Sequence, residues 1–138
     1  MDPLKAAAAS AYSGLTAQSM RLRIVSENIA NVESTGKTPG SDPYRRKTIS
    51  FAQTLDEVTG ASIVKIAEVG NDPLAFIVEH DPGHPAADAK GNVKRPNVNM
   101  IVEMTDLRQA VRSYEANLQV IRQGREMSSS LIDMLRSS

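Results

Sequence analysis

VNMIVEMTDLRQAVRSYEANLQVIRQGREMSSSLIDML, residues 98–135, is the stretch whose reading decides the architecture. Pro96 stops any helix arriving from upstream, and Asn97 or Asn99 can cap a new one. Glu103 and Asp106 sit near its start and Arg136 near its end, as the helix dipole favours. Met100, Met104, Leu107, Val111, Tyr114, Leu118 and Ile121 recur at alternating steps of four and three, a heptad seam. After Ile121 the stripe slips, and Gly124, Met127, Leu131 and Met134 carry it on out of phase.

The other end of the chain repeats the pattern. Asp2 can cap a helix that opens at Pro3 and runs to about Asn31. Leu4, Ala8, Ala11, Leu15, Gln18, Leu22, Val25, Ile29 and Val32 form its seam, with Gln18 as the one polar member. At about 1.5 Å per residue these helices measure roughly 43 Å and 58 Å. A compact chain of 138 residues has a radius of gyration of only about 14 Å. Two narrow seams on rods of that length bury little area by themselves, so the sequence is built to assemble with other chains.

Between the helices lies a different composition. It holds every proline except Pro3, and its strand candidates are Thr48–Phe51, Ser62–Val69 and Phe76–Glu79. Pro82-Gly83 fits the centre of a type II turn, and Ala89-Lys90-Gly91-Asn92 is a second turn signal. The expected fold is mainly α, with long terminal helices packed as a coiled coil and a small β-rich middle. The corresponding segments are 1–33, 34–97 and 98–138.

Composition narrows the function. Sixteen basic residues balance sixteen acidic ones, which argues against a dedicated nucleic-acid or anionic-membrane binder. The chain has no cysteine, excluding thiolate metal sites, disulfides and cysteine nucleophiles. No apolar run is long enough to span a bilayer, and Asp2-Pro3-Leu4-Lys5 does not read as a secretory signal. Export, if it occurs, is expected to use another route.

Few residues invite a chemical role. His80 and His84 stand four apart, but Pro82, Gly83 and Pro85 forbid the helix that would align them on a metal. His84 reads as a local hydrogen-bond post. Gly36-Lys37-Thr38-Pro39-Gly40 lacks the spacing of a phosphate loop, and Ser128-Ser129-Ser130 has no histidine nearby. Arg45-Arg46-Lys47 is either a solvated loop or a partner contact, since arginine forks suit carboxylates. No catalytic residue, metal or cofactor is expected. A hydrolase built on the two histidines needs a pocket that three Tyr, two Phe and no Trp scarcely provide.

Ser26-Glu27-Asn28-Ile29-Ala30-Asn31-Val32-Glu33-Ser34-Thr35-Gly36 resembles the signature that follows the first helix in flagellar rod, hook and hook-associated proteins. The blocks Thr38–Lys47, Asp81–Asp88, Pro96–Asn99 leading to Glu103-Met104, and Arg112–Asn117 extend the resemblance over nearly the whole chain. One departure is Asn92-Val93, where such proteins usually carry Tyr-Val. The resemblance implies a structural subunit of the proximal rod, crossing the periplasm in the flagellar basal body and exported by the flagellar type III apparatus. Implied partners are other proximal and distal rod subunits and the export and MS-ring region, in homo- and hetero-oligomeric helical assembly. A cytosolic coiled-coil adaptor is the alternative.

On this reading the assembly seam comprises Leu4, Leu15, Leu22, Val25, Ile29, Met104, Leu107, Val111, Tyr114, Leu118, Ile121 and Leu131. The motif residues, and candidates for contacts between subunits, are Asn28, Asn31, Thr35, Gly36, Pro43, Tyr44, Arg45, Arg46, Pro82, Gly83, His84 and Asn97.

Overall fold

A computed structural model describes residues 2–137. Two helices bracket a small antiparallel β middle. α1 spans Pro3–Ala30 and α2 spans Met100–Arg136. Between them β1 (Lys47–Leu55) pairs with β2 (Ser62–Asn71), and β3 (Ile77–His80) with β4 (Asn92–Arg95).

Both helices begin where the side chains can cap them. The Asp2 carboxylate accepts the Leu4 amide at 2.9 Å, and Pro3 has no amide to leave unpaired. Asn99 is the cap of α2, its Oδ1 accepting the Ile101 amide at 3.0 Å. Asn97, the other cap candidate, is used elsewhere: its Oδ1 takes the Arg46 amide at 2.8 Å.

The chain divides into two compact units. The first takes α1 up to Leu22, residues Ser50–Glu68, and α2 from Arg108 onward. Its buried side chains are almost all small: Ala11, Ala17, Ala61 and Ala110, joined by Ile121. α1 and α2 approach closely here, because a Cβ on Gly14 would lie 2.7 Å from the Asn117 side-chain nitrogen. The Ser13 hydroxyl accepts the Val64 amide at 3.0 Å, and the Ser10 hydroxyl donates to the Ser62 carbonyl at 2.8 Å, which ties β2 to α1.

The second unit takes Arg23–Ile49 and Val69–Leu107. It holds the larger buried apolar groups, Ile24, Val25, Val93 and Val98, together with buried Asn28, Asp72 and Glu103. β3 and β4 pair Ile77 with Arg95 and His80 with Asn92. Spacing did not disclose β4, because four residues between a turn and Pro96 carry no readable alternation. Val93 is nevertheless fully buried and anchors that hairpin.

The turn at Pro82-Gly83 differs from the expected type II. It closes with the His84 amide on the Asp81 carbonyl at 3.1 Å, but Gly83 does not have positive φ; Gly40, Gly60 and Gly91 do. A type I turn also accepts proline at its second position and favours aspartate at its first, so Gly83 need not turn left-handed. The left-handed residue is Gly91, at φ 79°, in the turn that returns the chain to β4. The Asp88 carboxylate fastens that turn, accepting the Lys90 amide at 2.8 Å and the Asn92 amide at 3.0 Å.

The Asn92 amide is the main reason the Asp88 carboxyl sits below its ordinary value. A depressed folded-state value means the turn gains from the carboxylate at any pH above about 3.9 and loses that gain as pH falls below it. Acid titration followed by NMR is expected to release the Lys90 and Asn92 amides first in this hairpin. Asp88→Asn removes that acid step. Amides that stay protected in both proteins down to pH 2 would show that the carboxylate is not the fastening.

Candidate functional site

The densest polar geometry in the molecule is a hub inside the second unit. Asn28, near the end of α1, is 1% exposed and uses every hydrogen-bonding position it has. Its Nδ2 donates to the Lys47 carbonyl at 2.9 Å and to Glu103 Oε2 at 3.3 Å. Its Oδ1 accepts the Lys47 amide at 2.9 Å and the Tyr44 hydroxyl at 2.6 Å. Asn28 thus gives the start of β1 the pair of bonds that a neighbouring strand would give.

Arg46 closes the hub from the other side. Its Nε bonds Glu103, its Nη1 meets Asp72 at 3.2 Å, and its Nη2 lies 3.7 Å from Asp106. Glu103 is fully buried, so its charge is held by one guanidinium and one amide. Burial works against a charged Arg46, but the Glu103 and Asp72 bonds outweigh it and raise its pKa. Burial also pushes up the Tyr44 hydroxyl, the form that donates to Asn28. Asn97 Nδ2 adds bonds of 3.0 Å to the carbonyls of both Asp72 and Leu74.

Arg45 stacks 4.2 Å over the Phe76 ring and donates to the Asp72 and Leu74 carbonyls at 2.8 and 3.0 Å. At the rim Lys47 meets Glu27 at 2.7 Å; that bond is the largest cause holding the Glu27 carboxyl low and the Lys47 ammonium high. The hub therefore joins the end of α1, the entry to β1, the exit of β2 and the first turn of α2. Its groups bind one another, which makes the hub a structural junction of the second unit.

The remaining motif residues shape the loops around the hub. Asn31 Nδ2 donates to the Glu27 carbonyl at 2.8 Å, and the Ser34 hydroxyl accepts the Tyr44 amide at 3.1 Å. Thr35, Gly36 and Pro43 are half-buried. Gly36 faces Ser41, whose hydroxyl donates to the Thr38 carbonyl at 2.6 Å. Pro82 and Gly83 are exposed, and His84 Nδ1 accepts the Ala86 amide at 3.0 Å. His80 instead faces Asn92 at 3.3 Å, so the two imidazoles serve different partners.

The seam residues fall into three environments. Val25 and Ile121 are buried, whereas Leu4, Leu15, Leu22, Ile29, Leu107, Tyr114 and Leu118 are half-buried. Met104, Val111 and Leu131 are exposed. On α2 the buried positions are Glu103, Ala110 and Ile121. Exposed large apolar residues continue along α2 through Val120, Met127, Leu131, Ile132, Met134 and Leu135, the last at 76% exposure. Glu103 was legible only as an acid near a helix start. Nothing in the spacing signalled Asp72, which lies 26 residues from Arg46.

Gly14 allows a sharp test of the close approach in the first unit. Alanine in place of glycine favours a helix by about 1 kcal/mol, but here it must displace the Asn117 amide. Gly14→Ala is therefore expected to lower the urea midpoint, and Gly14→Ala with Asn117→Ala to raise it above the single variant. Equal midpoints would place the helices further apart.

Two sequence-family models match the chain: Flagella basal body rod protein over residues 9–36, and Flagellar basal body rod FlgEFG protein C-terminal over residues 89–134. The Flagellar basal-body rod protein FlgC of Agrobacterium fabrum is 60% identical over 138 residues, covering 100% of this chain and 99% of its own. The chain belongs to the FlgC family of flagellar basal-body rod proteins. The FlgC of Borreliella burgdorferi is 39% identical over 144 residues, spanning 91% of this chain and 93% of its own. That of Salmonella typhimurium is 40% identical over 112 residues, spanning 80% and 82%. As a FlgC-family member this chain is a structural subunit of the basal-body rod and not an enzyme. Among its described residues no helix is long and apolar enough to cross a membrane.

Proposed function

We propose that this chain is a proximal-rod subunit that polymerises through its terminal helices, which pack with those of neighbouring rod subunits as a coiled coil lining the axial structure. The observation that carries this reading is the mismatch within the first unit. Its interior is mostly alanine, worth about one methylene equivalent each, while Val111, Val120, Met127, Leu131 and Met134 face water. Residues this apolar gain their burial when other chains cover them.

The terminal segments 1–33 and 98–138 supply the assembly surfaces, and the middle, 34–97, sets the spacing and rotation of neighbours. Partners are the other proximal and distal rod proteins and the export and MS-ring end of the basal body. The chain leaves the cytosol through the flagellar type III apparatus and reaches the periplasmic rod. Passage through a narrow channel favours helices that order late, on the growing tip, at a cost of a few kcal/mol in interaction energy.

The test is deletion of the gene with tagged protein restored from a plasmid. The deletion strain is expected to lack rods and swimming, and the tagged protein to co-purify with basal bodies. A motile deletion strain whose tagged protein stays in the cytosol would overturn the proposal.

A further inference from the structure

The first unit carries two complementary patches that lie on different faces of α2. One is a groove of about 500 Å³ between the first turns of α1 and the part of α2 beyond Ile121, walled by Leu4, Ala8, Tyr12 and Ile132. Lys5 and Arg125 line it too, outnumbering the one acid there, Asp2. Gly124 opens onto it, and a Cβ there would touch nothing within 4 Å, so the space is not required by the subunit's own packing.

The other patch is a shallow apolar face of Met127, Leu131 and Met134, each more than half exposed, with Glu126 beside them. Met127 and Leu131 each precede a groove residue, Ser128 and Ile132, so they point about 100° away around the helix. The apolar face with its acid and the groove with its bases match in both polarity and charge.

We infer that the Met127–Met134 face of one copy seats in the Leu4–Tyr12–Ile132 groove of a second copy of this chain. The inference rests on the rod-assembly reading above and names which surface meets which. Because the two patches differ, the contact is head-to-tail; the copy that gives its face keeps a free groove, the copy that gives its groove keeps a free face, and copies continue around an axis rather than closing as a two-fold pair. The face covers about two helical turns, roughly 11 Å, and the groove about three, roughly 16 Å, both well short of a standard interface. The free subunit therefore stays monomeric, and the contact forms only where other rod contacts hold the copies together.

The natural absence of cysteine makes the test clean. Differently tagged subunits carrying Ala8→Cys or Leu131→Cys are co-produced, basal bodies are purified, and mild oxidation is applied. Recovery of either subunit in basal bodies checks the rod reading separately. The expected result is a mixed disulfide between the two tags, several-fold above either homodimer, with none formed by a Val58→Cys control. Leu131–Leu131 homodimers in its place would mean a two-fold contact and overturn the inference. So would a photoreactive probe on the Leu131→Cys subunit that marks another rod protein rather than residues 2–12 of this chain.

Charge exchange reads the same contact without cysteines. Lys5→Glu and Glu126→Lys are each expected to shrink swimming rings, and the double variant to restore them. A double variant no better than the worse single one would contradict the pairing.

Discussion

Replacing Arg46 by alanine is expected to destabilise the free subunit by about 3 kcal/mol. Removing one partner of a buried ion pair typically costs that much or more, and one-fifth of the Arg46 side chain remains in water, which puts the cost at the lower end. The loss is severe because this single guanidinium answers three carboxylates, those of Asp72, Glu103 and Asp106. Without it Glu103, fully buried, is left to the Asn28 amide. Arg46→Lys is expected to recover less than half the loss, since an ammonium cannot fork to several acceptors in one plane. Urea unfolding of purified monomer measures all of this. A change below about 0.5 kcal/mol for Arg46→Ala, combined with lost motility, would move Arg46 from the hub to a contact between subunits.

Leu131→Asp should do the reverse. Leu131 is half exposed on α2, so the monomer is expected to keep its unfolding midpoint within about 0.5 kcal/mol. In the proposed contact the new carboxylate replaces an apolar group in a groove walled by Leu4, Ala8, Tyr12 and Ile132. Losing that contact and desolvating the charge costs a few kcal/mol even with Lys5 and Arg125 lining the groove, and swimming is expected to stop. Leu118→Asp should also block swimming, but Leu118 is half-buried in the subunit and its monomer is expected to lose stability as well. Together the Arg46 and Leu131 variants separate holding the subunit together from joining subunits. Normal swimming by the Leu131→Asp strain would remove the C-terminal part of α2 from the assembly surface.

Much of this architecture can be read from the chain. Asp2-Pro3 and Pro96 with Asn99 mark the starts of both helices through local chemistry that needs no tertiary context. Three of the four strands lie where β-branched and aromatic residues concentrate, each running a few residues past or short of the expected ends. The seam is harder, because heptad spacing reports which residues want burial but not which chain buries them. Where α1 and α2 meet at Gly14 the fold uses small residues, and the large ones at Met104, Val111 and Leu131 stay outside.

The hub could not be read in this way. Asn28, Arg46 and Glu103 are separated by up to 75 residues, and no periodicity links them. Their clues were ambiguous singly: an asparagine at a helix end, a basic trio in a loop, an acid near a helix start. Only folding puts the guanidinium, the amide and the carboxylate in one place.

As a rod subunit of the kind proposed, the chain holds its second unit together by itself and completes its first against neighbours. Hydrogen exchange on the monomer, compared with the same peptides from isolated basal bodies, tests it most directly. The predicted result is strong protection in the monomer for amides of β1, β4 and the first turns of α2 around the hub, with weaker protection for residues 4–20 and 110–135 that rises on assembly. Equal and cooperative protection along the whole of both helices in dilute monomer would contradict it.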